Sequence, residues 1–216
     1  MMLLRPPGVY RPQSDTRLLG ETLATAGIPE GAAILDIGCG TGALSVAAAR
    51  LRPRSITAVD VSRRAVLAAW LNLRLRRAPA EVLLGDAFET TAGRTFDVVL
   101  SNPPYVPGVA TRPRGRDRAW DAGLDGRAIL DRLCANLPLL LAPGGTALIV
   151  HSQLCDEDRT LGQLRGGGLK AAVVGRAEVP YGPVMRGRRR TLAELGLVGD
   201  TDDTEELVVI RGDRTT

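Results

Sequence analysis

Two stretches of this chain hold residue types whose spacing suits chemistry. The first is Asp36-Ile37-Gly38-Cys39-Gly40-Thr41-Gly42, three glycines at alternate positions with a carboxylate ahead of them. Glycines permit a tight turn and let a ligand approach the backbone closely. Gly38, Gly40 and Ala43 fit the G-x-G-x-x-A pattern of dinucleotide-binding loops, so a nicotinamide or flavin group is one candidate ligand. The acids favour another. Asp36 precedes the first glycine, where it would repel a pyrophosphate but suits an ammonium group and hydroxyls. Asp60 ends the next apolar run, at the offset where an acid accepts from both ribose hydroxyls. Asp86 follows a third such run and is placed to accept from an adenine amino group. Ammonium, ribose and adenine in that order describe S-adenosylmethionine.

The second stretch is Asn102-Pro103-Pro104-Tyr105, directly after a fourth apolar run. Its prolines remove two backbone donors and stiffen the segment. What remains is rich in acceptors, the Asn102 side-chain oxygen and the Pro103 carbonyl, beside the flat face of Tyr105. Such a set fits a planar amino group, which has two hydrogens and two faces. A carboxamide or nucleobase nitrogen is a poor nucleophile because its lone pair is delocalised. Two acceptors that hold its hydrogens can aim it at a sulfonium methyl, and the gain is orientation and electrostatic placement. Methyl transfer makes the nitrogen more acidic, so its proton leaves without a strong base.

These loops need strands that end on them and helices that begin from them. Apolar runs alternate with helical patterns almost throughout, which predicts α/β architecture with a mainly parallel sheet. Strands are predicted at Ala33–Ile37, Ser55–Asp60, Glu81–Leu84, Phe96–Ser101, Thr146–His151, Leu169–Val174 and Leu207–Arg211. Helices are predicted at Gly42–Leu51, from the cap Ser62 to Arg76, at Gly126–Leu141 and at Cys155–Arg165, with a short one at Thr191–Gly196. Pro143-Gly144-Gly145 reads as a turn. Asp15–Ala26 forms an amphipathic helix through Leu18, Leu19 and Leu23. The expectation is one domain over 1–216, with residues 1–30 packing over the sheet.

Composition removes several function classes. The chain has 216 residues, enough for one domain with a core of its own. Hydrophobic residues make up 44% and charged residues 24%, a globular balance. No apolar run approaches the roughly 20 residues that cross a bilayer, and the start MMLLRPPGVYRP has no signal-peptide pattern. Cys39, Cys134 and Cys155 lack metal-ligand spacing and His151 is the single histidine, so no metal site is expected. The cysteines suit a reduced, cytoplasmic setting. Cys39 is expected to pack rather than react, and His151 to be structural. The net charge is +4, but 27 of the 28 basic residues are Arg, with Lys170 alone, a skew that reads as coding bias rather than phosphate binding. Two Trp, three Tyr and two Phe leave little for base stacking. Nucleic acid is therefore not the favoured partner.

With both motifs in place the chain resembles the class I S-adenosylmethionine-dependent methyltransferases that carry NPPY. Within them it is similar to the HemK-type enzymes, which methylate the glutamine amide of the GGQ motif in translation release factors, and most to the short forms without a separate amino-terminal substrate domain. Three further stretches support this. Tyr10-Arg11-Pro12-Gln13-Ser14-Asp15-Thr16 is similar to the family's Y-x-P-x-x-D-[ST] opening; Ala119–Arg127 resembles the glycine-rich segment after NPPY; Glu205–Arg211 sits where the last strand would be. The resemblance implies a Rossmann-like fold, a seven-stranded mostly parallel sheet with one antiparallel strand and helices on both faces. It implies that Thr16, Asp36, Gly38, Gly40, Gly42, Asp60, Val61, Asp86, Ala87 and Asn102 contact S-adenosylmethionine, and that Asn102, Pro103, Pro104 and Tyr105 hold the target amide. It also implies a protein substrate and, as in some short HemK-like enzymes, a small activating partner. NPPY serves adenine amines in RNA or DNA too, so that acceptor is the leading alternative; a small-molecule N-methyltransferase and a catalytically silent relative are the others. Thr111–Arg118 and the Arg186–Arg190 stretch depart from the family pattern and read as solvated loops, with RNA-backbone contact as the alternative. Trp120 would either wall the substrate site or pack.

Overall fold

The computed structural model describes residues 2–108 and 122–215. The Arg-rich Thr111–Arg118, Trp120 and the first part of the glycine-rich segment lie outside the described residues. The chain runs α1 (Ser14–Thr25), β1 (Ala33–Ile37), α2 (Ala43–Ala48), β2 (Ser55–Asp60), α3 (Arg63–Arg74), β3 (Ala80–Leu84), α4 (Ala87–Thr90) and β4 (Phe96–Ser101). It continues through α5 (Ala128–Leu140), β5 (Leu141–Ser152), α6 (Glu157–Gly166), β6 (Leu169–Pro180), α7 (Pro183–Glu194) and β7 (Thr204–Arg214). The seven strands form one sheet in the order β3-β2-β1-β4-β5-β7-β6. All pairings are parallel except those of β7, which is antiparallel to both β5 and β6.

The alternation of side chains along each strand divides the core into two layers. Leu35, Ile37, Val99 and Ile149 face α5, where Leu130, Leu133 and Leu137 recur at helical spacing. Ile34, Val98, Leu100, Leu148 and Val150 face the other way and are covered by Leu19 and Leu23 of α1 and by Leu44 of α2. Full burial of a leucine stabilises by about 1.5–3 kcal/mol. Leu19 and Leu23 thus fasten the amino-terminal helix across the sheet, as its apolar stripe predicts. Ser62 caps α3, its hydroxyl accepting from Ala65 N at 3.4 Å.

The carboxyl-terminal third departs from the sequence-based expectations. The turn predicted at Pro143–Gly145 lies inside β5, which pairs at Phe96↔Leu141, breaks register and resumes at Val98↔Thr146. Strands β6 and β7 run well beyond their predicted ends, paired as far as Pro180↔Thr204. Cross-strand partners such as Arg176 and Glu206, 2.7 Å apart, sustain the extension where apolar alternation has stopped. The stretch read as an Arg-rich loop with a short helix is the 12-residue α7. Pro183 opens it at its first turn, and only Met185 and Leu192 are buried, too few for a helical stripe to be seen. Among the described residues no helix is long and apolar enough to cross a membrane, and no cluster of three metal-ligating side chains gathers.

Candidate active site

The site lies at the carboxyl ends of four neighbouring strands. Ile37 pairs with Val59 on one side and Ser101 on the other, and Asp60 pairs with Leu84. Ser101 Oγ donates to Ile37 O at 3.1 Å. Adjacent strands are about 4.8 Å apart, so the glycine loop and the Asn102 segment leave the sheet side by side. This is also where the strand order reverses, the place in open α/β sheets where ligands bind.

The glycine loop is fixed from behind and open in front. Gly38 N and Cys39 N both donate to Val59 O, at 2.9 and 3.0 Å. Gly40 N donates to Asp60 Oδ2 at 2.9 Å, and Ser62 N donates to Asp60 Oδ1 at 2.8 Å. Asp60 therefore ties the loop to the start of α3. Gly38, Gly40 and Gly42 all have left-handed φ, 72°, 54° and 75°. A Cβ on Gly42 would stand 3.1 Å from Ala69 Cα, whereas at Gly38 or Gly40 it would meet nothing within 4 Å. Gly42 thus permits helix packing, while the first two glycines border open space of the kind a cofactor's approach requires. Cys39 is buried, and burial pushes its thiol well up, so it packs.

Asp36 is fully buried on the α2 side of β1. Its Oδ2 accepts from Ser45 N at 3.0 Å and Ser45 Oγ at 2.5 Å, while Oδ1 has no partner. Burial raises its pKa to about 6, against the opposing effect of the Ser45 bonds. The fold tolerates a half-satisfied carboxylate at the point where a ligand ammonium is expected. Because the folded pKa exceeds the unfolded one, the group favours the native state below about pH 4, and that contribution is lost as pH rises through 6. Asp36→Asn keeps an acceptor for Ser45 and removes the titration. Between pH 4 and 7 the variant is expected to gain about 3 kcal/mol relative to wild type, measured by urea unfolding, while its affinity for S-adenosylmethionine falls at least about tenfold. A parallel pH dependence of the two proteins would contradict this.

Asp86, expected to meet an adenine amine, is more occupied than the sequence implies. Asp86 caps α4, its Oδ1 accepting from Phe88 N at 3.0 Å, and its Oδ2 accepts from Arg132 at 3.0 Å. The Arg132 guanidinium lies 4.9 Å from the Phe88 ring centre. An adenine amine at Asp86 would share the carboxylate with Arg132. Ala87 is buried behind it, and Val61, 58% exposed, is free to meet a ring.

Helix α1 delivers the other half of the site. Asp15, buried at its first turn, accepts from the Tyr10 hydroxyl at 2.9 Å and the Tyr105 hydroxyl at 3.2 Å. Burial, then the charge of Asp15, pushes both phenols up, so both stay protonated donors. Thr16 does not stand alone toward a cofactor: its Oγ1 accepts from Asn102 Nδ2 at 3.2 Å. Asn102, Pro103, Pro104 and Tyr105 line a cavity of about 60 Å³ together with Asp15, Val184 and Met185. Glu205 lines it too, with Oε2 lacking a partner and its pKa raised by burial. Arg188, expected in a solvated loop, donates to Pro107 O at 3.0 Å and ties α7 to the end of the segment.

A floor under Tyr105 comes from residues that sequence reasoning left without a role. Cys155 Sγ donates to Tyr105 O at 3.0 Å. Gly126, at φ 70°, lies so close that a Cβ would stand inside contact with Tyr105 O and 2.8 Å from Cys155 Sγ. Gly126→Ala is expected to cost about 2–4 kcal/mol from left-handed strain plus overpacking. It should also slow turnover more than it weakens cofactor binding, because the clash falls on Tyr105. Thermal unfolding and kcat check this; a stability within 0.5 kcal/mol of wild type would contradict it. Asp15, Gly126 and Cys155 had one signal each at most: the first two lie in stretches matched to the family, and Cys155 had none. His151, in β5, is buried with Nδ1 on Ser152 O at 2.8 Å and Nε2 unpartnered, away from the reaction site's lining.

A sequence profile of the methyltransferase small domain matches residues 2–172. The chain is 36% identical over 183 residues to a protein of Methanocaldococcus jannaschii provisionally named protein N5-glutamine methyltransferase, covering 83% of this chain and 90% of that one. It is 33% identical over 151 residues to the release factor glutamine methyltransferase of Geobacter sulfurreducens, covering 66% of this chain but only 53% of that longer enzyme. Among solved structures, the E. cuniculi Mtq2–Trm112 complex, responsible for methylation of the eRF1 termination factor, aligns with TM-score 0.61 and 20% identity over 96% of this chain and 99% of that one. The T. thermophilus 16S rRNA N2 G1207 methyltransferase, solved with AdoMet and guanosine, aligns with TM-score 0.64 and 19% identity over 97% of this chain and 46% of that one. These last two likenesses show the Rossmann-like class I fold.

Proposed function

The chain belongs to the methyltransferase small domain family, and from that premise we propose that it transfers the methyl group of S-adenosylmethionine to the side-chain amide of a protein glutamine, with a GGQ-bearing release factor as its substrate. It is a methyltransferase with S-adenosylmethionine as donor; the acceptor is the proposal. The observation that carries it is the acceptor-rich lining of the cavity at Asn102–Tyr105, where the carboxylates of Asp15 and Glu205 stand with Asn102 and Pro103, a setting that suits a neutral carboxamide better than a nucleotide with its phosphates; the strand that delivers it lies next to the one that ends on the glycine loop. Beside it, Glu178, Asp202, Glu205 and Glu206 line a second cavity, an anionic wall that disfavours a phosphate backbone although Glu206 is paired with Arg176. The names of the two relatives point the same way.

In this reading the cofactor supplies an electrophilic methyl on a sulfonium. Asp36 Oδ1 would take its ammonium, Gly38 and Gly40 would allow its approach, and Asp60 would accept from its ribose. Asn102 Oδ1 and Pro103 O would hold the two hydrogens of the amide nitrogen, and Tyr105 would cover its face. The Mtq2–Trm112 complex supports a small activating partner as well. Leu67 and Trp70 on α3 and Leu84 on the edge strand β3 are about half exposed, apolar side chains of the kind such a partner covers.

The test is transfer of labelled methyl to a GGQ-bearing release factor, alone and with its Gln→Glu variant. Label on the first and none on the second is expected. Label on RNA or DNA with salt-steep binding, and an unmodified release factor, would overturn the proposal in favour of an adenine amine.

A further inference from the structure

Asn102 can serve as described only if its amide faces the right way. Rotated by half a turn, it would present an NH2 group to the incoming nitrogen's hydrogens, donor against donor. Four donors converge on Asp15. Thr16 N and Thr16 Oγ1 reach its Oδ1 at 2.5 and 3.1 Å, and the hydroxyls of Tyr10 and Tyr105 reach its Oδ2. A carboxylate only accepts, and a threonine hydroxyl has one proton. With that proton directed at Asp15, Thr16 Oγ1 can meet Asn102 only as an acceptor. The group facing it, at 3.2 Å, is accordingly Asn102 Nδ2. Asn102 Oδ1, on the opposite side of the amide, has no hydrogen bond among the described residues, and Asn102 lines the cavity.

We propose that Asp15 and Thr16 form a one-way hydrogen-bond relay that fixes the amide orientation of Asn102, so that its oxygen and not its nitrogen meets the methyl acceptor. Both are positioning residues: neither needs to touch the reacting atoms. The proposal rests on the reading of Asn102 as the holder of a planar amine, but not on which amine. The relay also explains why Asp15 is buried at the start of a helix whose remaining buried side chains are apolar. Its two tyrosine partners occupy Oδ2 and leave Oδ1 for Thr16 alone.

The experiment compares wild type with Thr16→Val and Thr16→Ser. Thr16→Val keeps shape and loses the hydroxyl; Thr16→Ser restores it. Thr16→Val is expected to lower kcat at saturating S-adenosylmethionine roughly tenfold or more, whatever it does to cofactor affinity, and Thr16→Ser to return that kcat to within about threefold of wild type. The second readout needs no acceptor. In protein labelled with 15N-asparagine, one Asn102 Nδ2 proton should exchange slowly in wild type and Thr16→Ser, and at free-amide rates in Thr16→Val. Wild-type kcat in Thr16→Val, a Thr16→Ser enzyme as slow as Thr16→Val, or free-amide exchange in wild type would each overturn the relay. Should the release factor stay unmodified, the same variants are assayed on whichever amine is labelled, and slow exchange in wild type still upholds the relay while the glutamine reading falls. Should Thr16→Val fail to fold, the exchange rate in wild type and the turnover of Thr16→Ser decide alone.

Discussion

Asn102→Ala is expected to lower the single-turnover rate of methyl transfer by roughly 10²–10³ while cofactor affinity stays within about threefold of wild type. The size follows from what the alanine removes. An amide nitrogen shares its lone pair with its carbonyl, so it attacks a methyl only when held in line and partly relieved of that sharing. In the proposed function Asn102 Oδ1 is one of the two acceptors that do this, and removing a single preorganised electrostatic partner of a reacting group has a cost of that order. The proposed cofactor residues Asp36, Gly38, Gly40 and Asp60 stay in place, and none of them is hydrogen-bonded to Asn102. Rapid-quench transfer and equilibrium binding separate the two quantities. A near-normal transfer rate would remove Asn102 from the mechanism; a parallel collapse of binding would make it a cofactor residue first.

Arg127→Met should produce the largest loss of stability, about 3–5 kcal/mol. Arg127 is 1% exposed and charged. Its Nε donates to Asp131 at 2.9 Å; its Nη1 donates to the carbonyls of Cys155 and Asp156 and to Thr160 Oγ1; its Nη2 donates to Gln163 at 2.9 Å. One guanidinium thereby joins the start of α5 to the turn before α6 and to α6 itself. Methionine fills much of the volume but leaves the buried Cys155 carbonyl without its donor, the Asp156 carbonyl with Thr160 alone, and Asp131 with Arg159 as its one remaining cation. Because Cys155 supports Tyr105 O and Gly126 precedes Arg127, the loosened turn also reaches the active site. Urea unfolding at fixed pH gives the first effect, and kcat measured well below the unfolding midpoint gives the second. A loss under about 1 kcal/mol would mean that water replaces the guanidinium at this junction.

The parts of the protein legible in its sequence are those with local physical causes. Strands β1, β2 and β4 appear at or within a residue of their predicted ends because short apolar runs bounded by turn residues have few other uses. Ser62 caps its helix as its type and place imply. Asp36, Asp60 and the glycines announced a cofactor crevice because a tight left-handed turn flanked by acids has a narrow chemistry. Helix α7 and the long β6–β7 pair were illegible for the opposite reason. They are held by the antiparallel ladder with its Arg176–Glu206 ion pair and by two buried side chains, Met185 and Leu192, not by a pattern within eleven or so residues. The support of Tyr105 by Gly126 and Cys155 was illegible too, since those residues lie 21 and 50 positions downstream.

What the sequence alone determined is the chemistry on offer: a turn for a cofactor, acids for its polar groups, and an acceptor-rich tetrapeptide for a planar amine. The tertiary structure decided which oxygens stay free to perform it. Residue types fix how many protons a group can give or take, but hydrogen bonds are directional. Only the packing of α1 over the sheet brings Thr16 to Asn102, turns the amide, and leaves its oxygen without a hydrogen bond among the described residues.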